Sequence, residues 1–268
     1  MGSSLFFRGH DGLLCDLDGV VYAGAAAIPG AVETLTSLIE ARIPVAFVTN
    51  NASRAPQTVA DHLRELGIPT DAEHVFDSAQ AGVALLQDRV AHGSRVLPVG
   101  SSYLAGLLEA AGYRVVSSAA DRPDAVVQGF DPSVGWAQLA EAAYAVNAGA
   151  VWVATNLDLS IPRGEGIAPG NGALVGAVSQ ATGTAPVAAG KPEPHLFRTA
   201  ACSLGLRRPL VVGDRLDTDI RGGNAAGFDT VMVLTGIDTR EAAEQAPDAD
   251  RPRWIVDDLT ALTAEPDR

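Results

Sequence analysis

The 268-residue sequence is poor in cysteine and in positive charge. Its two cysteines, Cys15 and Cys202, lie far apart in apolar stretches, which excludes a disulfide framework and zinc-ligand spacing and favours buried, inert thiols. Lys and Arg number 19 against 32 Asp and Glu, so the formal net charge is −13. A field of this sign repels nucleic acid and anionic membrane surfaces. It repels any anionic ligand as well, so a site for one requires a local metal ion or lysine.

Long apolar runs are also missing. No stretch approaches the ~18 apolar residues of a membrane-spanning helix, and the first twelve residues lack the apolar run of a secretory signal. We therefore expect a cytoplasmic protein. The few histidines are scattered, which gives little support to a catalytic triad or a zinc site; they are His10, His62, His74, His92 and His195.

Short apolar runs alternate with amphipathic stretches, a pattern typical of an α/β protein in which helices cover a parallel sheet. The predicted strands are 13–15, 45–48, 95–99, 125–128, 151–154, 210–212 and 230–234. The predicted helices are 31–40, 58–66, 79–90, 103–111, 136–146, 173–182, 194–204 and 219–226. Gly67, Gly112 and Gly205 each follow one of these helices and are predicted to cap its C-terminus.

Polar residues follow four apolar runs at the point where each predicted strand ends. These endings are Asp16, Thr49-Asn50-Asn51, Gly190-Lys191 (after 187–189) and Gly213-Asp214. Because ligands of an open parallel sheet bind beyond the carboxyl ends of its strands, we expect one assembled site. Residues 79–184 have no such endings and are interpreted as an inserted second domain, with hinges near 77–78 and 185–186. Residues 1–78 and 185–268 then form the core domain.

Asp16 and Asp18 leave their strand on the same side, since strand side chains alternate. Two such carboxylates repel by roughly 4 kcal/mol at an effective dielectric near 20. A divalent cation can offset this for one of them, and protonation for the other. If this fragment is considered alone, a turn with two solvated carboxylates is the alternative explanation. Asp214 and Asp219 provide the additional hard oxygens that magnesium prefers, although a polar loop with a helix N-cap would also explain them.

Lys191 stands between Gly190 and Pro192, which restrict the backbone so that its ammonium group can be aimed at a site; a surface lysine is the ordinary alternative. Thr49, Asn50 and Asn51 provide a hydroxyl, two amides and backbone N–H groups that can hold phosphate oxygens. Taken alone, that triplet would also fit a helix cap.

The segments DLDGVVY, FVTNNAS, GKPEP and GDRLDTDIRGGNAAG, in this order and spacing, resemble the four motifs of the haloacid dehalogenase superfamily. More narrowly they resemble its NagD-like (p-nitrophenyl phosphatase) branch, as do TNLD at 155–158 and PGNGALVGAV at 169–178. The resemblance implies a Rossmann-like core with an α/β cap inserted between the second and third motifs. It also implies a magnesium-dependent phosphatase that works through an aspartyl phosphate.

The same resemblance assigns roles to individual residues. It implies that Asp16 is the nucleophile and a metal ligand, and that Asp18 is the general acid and base and lends its carbonyl to the metal. Thr49, Asn50, Asn51 and Lys191 would hold the phosphoryl group. Asp214 would ligate Mg²⁺ directly, with Asp219 in support. The branch often dimerises through the cap, so the resemblance allows a homodimer of this kind, while the sequence itself leaves the oligomeric state open.

The resemblance implies that the substrate is a small phosphorylated metabolite. Its selection is assigned to the cap loop 158–167, which offers Arg163 and Glu165 but no histidine or aromatic group to stack on a ring. Glycerol 3-phosphate therefore ranks first, and a broader sugar-phosphate or nucleotide phosphatase is the alternative. A phosphomutase and a silent sugar-phosphate sensor rank lower. The glycines of 170–176 imitate a dinucleotide fingerprint, but their spacing and the preceding Pro169 favour helix entry instead.

Overall fold

The computed structural model describes residues 6–163 and 166–264. Its strands are β1 Leu13–Cys15, β2 Tyr22–Ala23, β3 Ala26–Ala27, β4 Val45–Thr49, β5 Val75–Asp77, β6 Arg95–Val99, β7 Arg114–Val115, β8 Ala125–Gln128, β9 Val151–Ala154, β10 Ser160–Arg163, β11 Gly166–Pro169, β12 Val187–Ala188, β13 Leu210–Gly213, β14 Asp229–Val233 and β15 Trp254–Val256. Its α-helices are α1 Ala31–Glu40, α2 Pro56–Glu65, α3 Ser78–Gln87, α4 Ser102–Ala110, α5 Trp136–Asn147, α6 Asn171–Thr182, α7 His195–Ser203, α8 Arg221–Ala226 and α9 Arg240–Glu244.

The chain forms two compact units. The first comprises the chain up to Thr49, Pro56–Phe76 and the chain from Lys191, and the second comprises Asn50–Ala55 and Asp77–Gly190. The second unit therefore includes a short segment directly after β4 as well as the long central part of the chain.

The first unit contains a sheet with the strand order β15-β14-β13-β1-β4-β5. Strand β1 pairs in parallel with both β13 and β4, and every one of its residues is buried. A continuous apolar run is expected for a central parallel strand covered on both faces. Helix α1 packs on this core with Ala31, Leu35 and Leu38, whose i, i+4, i+7 spacing lines one helix face. The carboxyl ends of β4, β1 and β13 consequently lie side by side.

The second unit contains its own parallel sheet, in the order β12-β9-β8-β6-β7. Its core includes Val126 and Trp152 from the sheet and Val175 from α6. Strands β10 and β11 pair in antiparallel register as a separate two-stranded ribbon. The α/β class and the parallel sheets expected from the sequence are thus confirmed. No helix within residues 6–163 and 166–264 is both long and apolar enough to span a membrane.

Three sequence-based expectations are wrong in detail. Cys15 is buried as expected, but Cys202 is exposed, because helix α7 buries one face only. The run at 187–189 does form a strand, but β12 pairs with β9 of the second sheet and not with β1, β4 or β13. An apolar run of this length specifies a strand without specifying its partner, which explains the error. The predicted loop 158–167 is largely the β10–β11 ribbon. Ile161 pairs with Ala168 and Pro162 pairs with Ile167, and this pairing gives backbone N–H and C=O groups hydrogen-bond partners.

The predicted helix caps are confirmed in their backbone conformation. Gly67, Gly112 and Gly205 have φ values of +101°, +84° and +67°. This left-handed region is accessible to glycine without the steric cost that a Cβ atom imposes. The three glycines therefore end helices α2, α4 and α7 where the sequence indicated.

Two glycine-to-alanine substitutions should change stability in opposite directions. Gly205→Ala should lower the free energy of unfolding by about 1 kcal/mol, because a Cβ atom there meets no neighbour but forces strain at φ +67°. Gly106→Ala, inside α4 and equally open, should raise it by about 0.5–1 kcal/mol through helix propensity. Urea denaturation of both variants measures the difference; equal signs would contradict this account of the caps.

Candidate active site

Asp16 lies at the carboxyl end of β1 and is almost completely buried. The residue follows Cys15 directly and is 7% exposed, and its backbone N–H donates to Val212 O at 2.9 Å. This bond continues the ladder between β1 and β13 and so fixes where the carboxylate leaves the sheet. The thiol of Cys15 donates to Asp16 O at 3.1 Å. Burial, followed by the charge of Asp16, raises the pKa of Cys15 well above its ordinary value.

Strand β13 delivers two further carboxylates, Asp214 directly and Asp219 through a π-helical turn at Leu216–Ile220. Each residue is 1% exposed. The π turn is a wider coil that recurs at functional sites, and it directs Asp219 Oδ2 back to accept from the Arg215 N–H at 3.3 Å. A Cβ atom at Gly213 would lie 2.1 Å from Asp219 Cβ, so only glycine permits this approach.

Among the described residues, the three carboxylates of Asp16, Asp214 and Asp219 form one cluster whose ligand atoms lie within 4.8 Å of one another. Lys191 enters the cluster from the segment that precedes α7. Its Nζ donates to Asp16 Oδ1 at 2.5 Å, to Asp219 Oδ1 at 2.6 Å and to Val48 O at 3.2 Å. The lysine side chain is 4% exposed, so the N–H donors of its ammonium group point to these three acceptors and not to solvent.

The charges of this cluster do not balance. One ammonium group faces three carboxylates, which leaves a net charge of −2 when all are ionised. Burial, then the charges of Asp219 and Asp214, raises the pKa of Asp16 well above its ordinary value, against the opposing effect of Lys191. Burial and Asp219 likewise raise the pKa of Asp214 to about 7. Burial alone would lower the pKa of Lys191, but Asp16 and Asp219 outweigh it and raise that pKa.

These properties fit a divalent cation. Asp214 Oδ1 is buried and accepts no hydrogen bond from the described residues, whereas Oδ2 accepts from the Ile237 N–H at 2.9 Å. An unsatisfied buried carboxylate oxygen is costly without a positive partner. Clustered carboxylates are the hard ligands that Mg²⁺ and Ca²⁺ prefer. Asp16, Asp214 and Asp219 could therefore hold such an ion.

The other predicted site residues occupy different surroundings. Asp18 is exposed and lies outside the three-carboxylate cluster, at a turn where it forms an isolated bridge with Tyr22. Thr49, the last residue of β4, is 4% exposed and belongs to the first unit. Asn50 and Asn51 group with the second unit.

Asn50 and Asn51 are held by local hydrogen bonds. Asn50 Nδ2 donates to both carboxylate oxygens of Asp158 at 3.0 and 3.1 Å. Ser78 Oγ and Asn156 Nδ2 both donate to Asn50 O, at 2.6 and 2.7 Å. Asn51 Oδ1 accepts from the backbone N–H and the hydroxyl of Ser53, which closes a tight Asx turn. The TNLD segment thus holds Asn50 through Asn156 and Asp158, whereas Ser53 holds Asn51.

The sequence assigns substrate selection to Arg163 and Glu165. Glu165 lies outside the described residues, and so does the side chain of Arg163, whose backbone ends β10. Apolar side chains are exposed here: Leu159, directly before β10, is 72% accessible, and Ile167 in β11 is 83% accessible.

Comparisons with known proteins place the chain in a family. A profile described as haloacid dehalogenase-like hydrolase matches residues 13–114, and one described as HAD-hydrolase-like matches residues 188–262. The D-glycerol 3-phosphate phosphatase of Mycobacterium tuberculosis is 49% identical over 253 residues, covering 94% of this chain and 71% of the relative. The chain belongs to the haloacid dehalogenase-like hydrolases.

The chain is also similar to other phosphatases, both in sequence and in structure. The acid sugar phosphatase of Staphylococcus saprophyticus is 37% identical over 260 residues, covering 96% of this chain and 98% of the relative. A crystal structure of glycerol phosphate phosphatase from M. tuberculosis in complex with magnesium has a TM-score of 0.91 at 49% identity, covering 95% of this chain and 77% of the other. A p-nitrophenyl phosphatase from Archaeoglobus fulgidus has a TM-score of 0.85 at 30% identity, with coverages of 95% and 98%.

In this haloacid dehalogenase-like hydrolase, several residues that shape the site were not identified from the sequence. Gly236 leaves room for the Asp214 carboxylate, and Asn156 Nδ2 donates to Asn50 O. Gly213 was expected only as part of a strand ending, and its lack of a side chain leaves room for Asp219. Their signal is weak because glycine in a turn and asparagine after a strand have many ordinary explanations. Asn156 lies within the TNLD segment that carried part of the family resemblance.

Replacing Asp214 by asparagine should stabilise the metal-free protein. The raised pKa means that the folded state binds a proton more tightly than the unfolded state, so the carboxylate destabilises the fold as pH rises from about 4 to 7. Asp214→Asn should therefore raise the free energy of unfolding by roughly 2 kcal/mol at pH 8 in chelator, or Tm by about 4–8 °C, and by less at pH 5.

Thermal unfolding with and without Mg²⁺ checks this expectation. Added Mg²⁺ should stabilise the wild type and leave Asp214→Asn nearly unchanged, because a ligand stabilises only the state that binds it. Asp217→Asn makes the same chemical change at an exposed neighbour and should behave as wild type. A lower Tm for Asp214→Asn in chelator would contradict the assignment of Asp214 as an unfavourably buried charge.

Proposed function

We propose that this protein is a magnesium-dependent phosphatase that hydrolyses a small phosphomonoester, with glycerol 3-phosphate as the preferred substrate. The observation that carries the proposal is the buried cluster of Asp16, Asp214 and Asp219, with Lys191 paired to Asp16 and Asp219. Such a cluster provides both a nucleophile and the positive charge that a dianionic phosphate needs in order to approach it. Its relatives named above act as phosphatases, one of them on D-glycerol 3-phosphate.

In the proposed reaction Asp16 attacks phosphorus and the bond to the leaving oxygen breaks. Asp18 donates its proton to that oxygen, and the phosphoryl group remains on Asp16 as an acyl phosphate. Asp18 then accepts a proton from water as the water attacks phosphorus, which releases inorganic phosphate and restores Asp16.

Lys191 and the segment after β4 support both halves of the reaction. Lys191 holds Asp16 Oδ1 at 2.5 Å and thereby leaves the other oxygen as the attacking atom. Thr49, Asn50 and Asn51 donate to phosphoryl oxygens. Mg²⁺ held by Asp16 and Asp214, with the Asp18 carbonyl and Asp219 in support, would neutralise charge on the phosphate.

The second unit is proposed to act as the cap that selects the substrate, residues 79–184 by the boundaries expected from the sequence. Its ribbon β10–β11 carries the segment that includes Arg163. A homodimer through this unit is proposed as well, supported by the exposed aromatic side chains Trp136 and Tyr144 on α5, which are 79% and 56% accessible. The cytoplasm is the proposed location, in keeping with two cysteines that form no disulfide.

A broader sugar-phosphate or nucleotide specificity is the alternative function. The likeness to an acid sugar phosphatase supports it. The chemistry of Asp16 is the same for any phosphomonoester, so the two possibilities differ only in the cap.

Asp16→Asn should abolish turnover, because an amide cannot serve as the nucleophile. We expect kcat for p-nitrophenyl phosphate to fall by at least about 10³-fold, with the fold unchanged by circular dichroism. Mass spectrometry of the wild type in beryllium fluoride should locate the adduct on Asp16. Asp217→Asn serves as the control of equal charge. Retention of more than a few per cent of wild-type kcat would refute the assignment of the nucleophile.

Glycerol 3-phosphate should give a higher kcat/KM than pyridoxal phosphate or nucleoside monophosphates. Arg163→Ala should reduce kcat/KM for glycerol 3-phosphate by about tenfold to a hundredfold and affect p-nitrophenyl phosphate much less, since one polar contact contributes about 1–3 kcal/mol. Arg114→Ala removes an exposed arginine of the same unit and should leave the ratio unchanged. The polyol assignment fails if a nucleotide or pyridoxal phosphate is the better substrate.

A further inference from the structure

The chain that follows β14 contacts Asp214 through its backbone. We name Thr235-Gly236-Ile237-Asp238 the β14 clamp. The Ile237 N–H donates to Asp214 Oδ2 at 2.9 Å, and the Asp238 N–H donates to Asp214 O at 3.2 Å. Asp238 Oδ2 in turn accepts from the Leu216 N–H at 2.7 Å. The clamp therefore holds the side chain of Asp214, its carbonyl and the start of the π turn.

The clamp also holds the turn that carries Asp18. The Thr235 hydroxyl donates to Gly19 O at 2.6 Å. Gly19 has φ +86°, and its N–H donates to Tyr22 O at 2.9 Å, so the turn closes on itself directly after Asp18. Thr235 is the side-chain contact that joins this turn to the clamp.

Steric contact completes the arrangement. A Cβ atom at Gly236 would lie 1.9 Å from Asp214 Oδ2 and 2.4 Å from its Cγ. A Cβ atom at Gly19 would lie 2.5 Å from the same Oδ2 and 3.2 Å from Gly236 Cα. The carboxylate of Asp214 is thus packed between two glycines and cannot rotate toward either of them.

Hydrogen bonding and packing together distinguish the two oxygens of Asp214. Oδ2 faces the glycines and accepts from the Ile237 N–H. Oδ1 is buried and has no hydrogen-bond partner among the described residues, and the carboxylate as a whole belongs to the cluster. Oδ1 is therefore the oxygen of Asp214 left available to a cation.

We propose that the β14 clamp is the positioning element of the site: Gly236 fixes which oxygen of Asp214 meets the cation, and Thr235 fixes the turn that carries Asp18. The proposal rests on the function proposed above for the roles of these two carboxylates. It assigns a role to a segment outside the four motifs.

The substitution Gly236→Ala tests the metal side of the clamp. The added methyl group displaces the Asp214 carboxylate, so the Kd for Mg²⁺ should rise by at least about tenfold, as expected for loss of one ligand's orientation. Isothermal titration with Mg²⁺ and no substrate measures it directly. Gly176→Ala, where a Cβ atom meets nothing within 4 Å, is the matched control. An unchanged Mg²⁺ affinity in a folded Gly236→Ala protein overturns the proposal.

Thr235 provides a second test that does not depend on the folding of Gly236→Ala. Thr235→Val keeps the shape and removes the hydroxyl, and we expect kcat to fall about tenfold while KM and the Mg²⁺ affinity stay within about twofold. Thr235→Ser restores the donor and should recover most of kcat. Wild-type kcat in Thr235→Val, or equal losses in the valine and serine variants, would overturn the role of the hydroxyl.

The proposed function and the clamp can fail separately. If the wild-type protein binds Mg²⁺ but hydrolyses no phosphomonoester, the proposed function is refuted, and the titration of Gly236→Ala still decides the clamp. If the wild type is active and the clamp variants match it in Mg²⁺ affinity and kcat, the clamp alone is refuted.

Discussion

Repulsion among three buried carboxylates is the constraint on which the rest of this site depends. Ligand oxygens of Asp16, Asp214 and Asp219 lie within 4.8 Å of one another, and Lys191 forms ion pairs with Asp16 and Asp219. At such distances each like-charged pair costs several kcal/mol at an effective dielectric near 20. The protein tolerates this cost because each carboxylate is fixed by backbone that the parallel sheet holds in place. A rigid scaffold with an uncompensated negative charge is a preorganised binding site for a cation and, through the cation, for phosphate.

Glycine makes the required closeness possible. Gly213 leaves room for Asp219, while Gly19 and Gly236 enclose Asp214 from two directions. These residues lie on separate segments, after or at the ends of β1, β13 and β14, so the site is assembled from sequence positions more than 200 residues apart. Where the backbone approaches a carboxylate this closely, the side chain of the aspartate cannot rotate freely. Steric contact therefore adds to the hydrogen bonds that orient the carboxylate.

The sequence predicted which charged residues would meet better than it predicted the backbone that brings them together. Asp16 and Asp214 could be predicted to meet because polar residues that end buried strands have few structural explanations. Lys191 was predicted from its place between Gly190 and Pro192, although the strand before it is only partly buried. The strand before Lys191 was predicted, but its membership of the second sheet was not, since pairing partners leave no trace in a run as short as Val187–Ala188. The β10–β11 ribbon was missed because its alternation is interrupted by Pro162 and Gly164. The π turn at Leu216–Ile220 was missed for a different reason: π turns are rare, and the sequence predicted only an α-helix beginning at residue 219.

The burial of Cys15 has a consequence for the chemical durability of the site. Its sulfur adjoins the proposed nucleophile in sequence, yet its raised pKa keeps it as a thiol. Oxidants and electrophiles react with the thiolate, so this position resists both sulfenic acid formation and alkylation. A carboxylate nucleophile cannot undergo the stepwise oxidation to sulfenic, sulfinic and sulfonic acid that a cysteine thiolate undergoes. The site thus differs from cysteine-dependent phosphatases, in which a low thiol pKa links catalysis to oxidative inactivation.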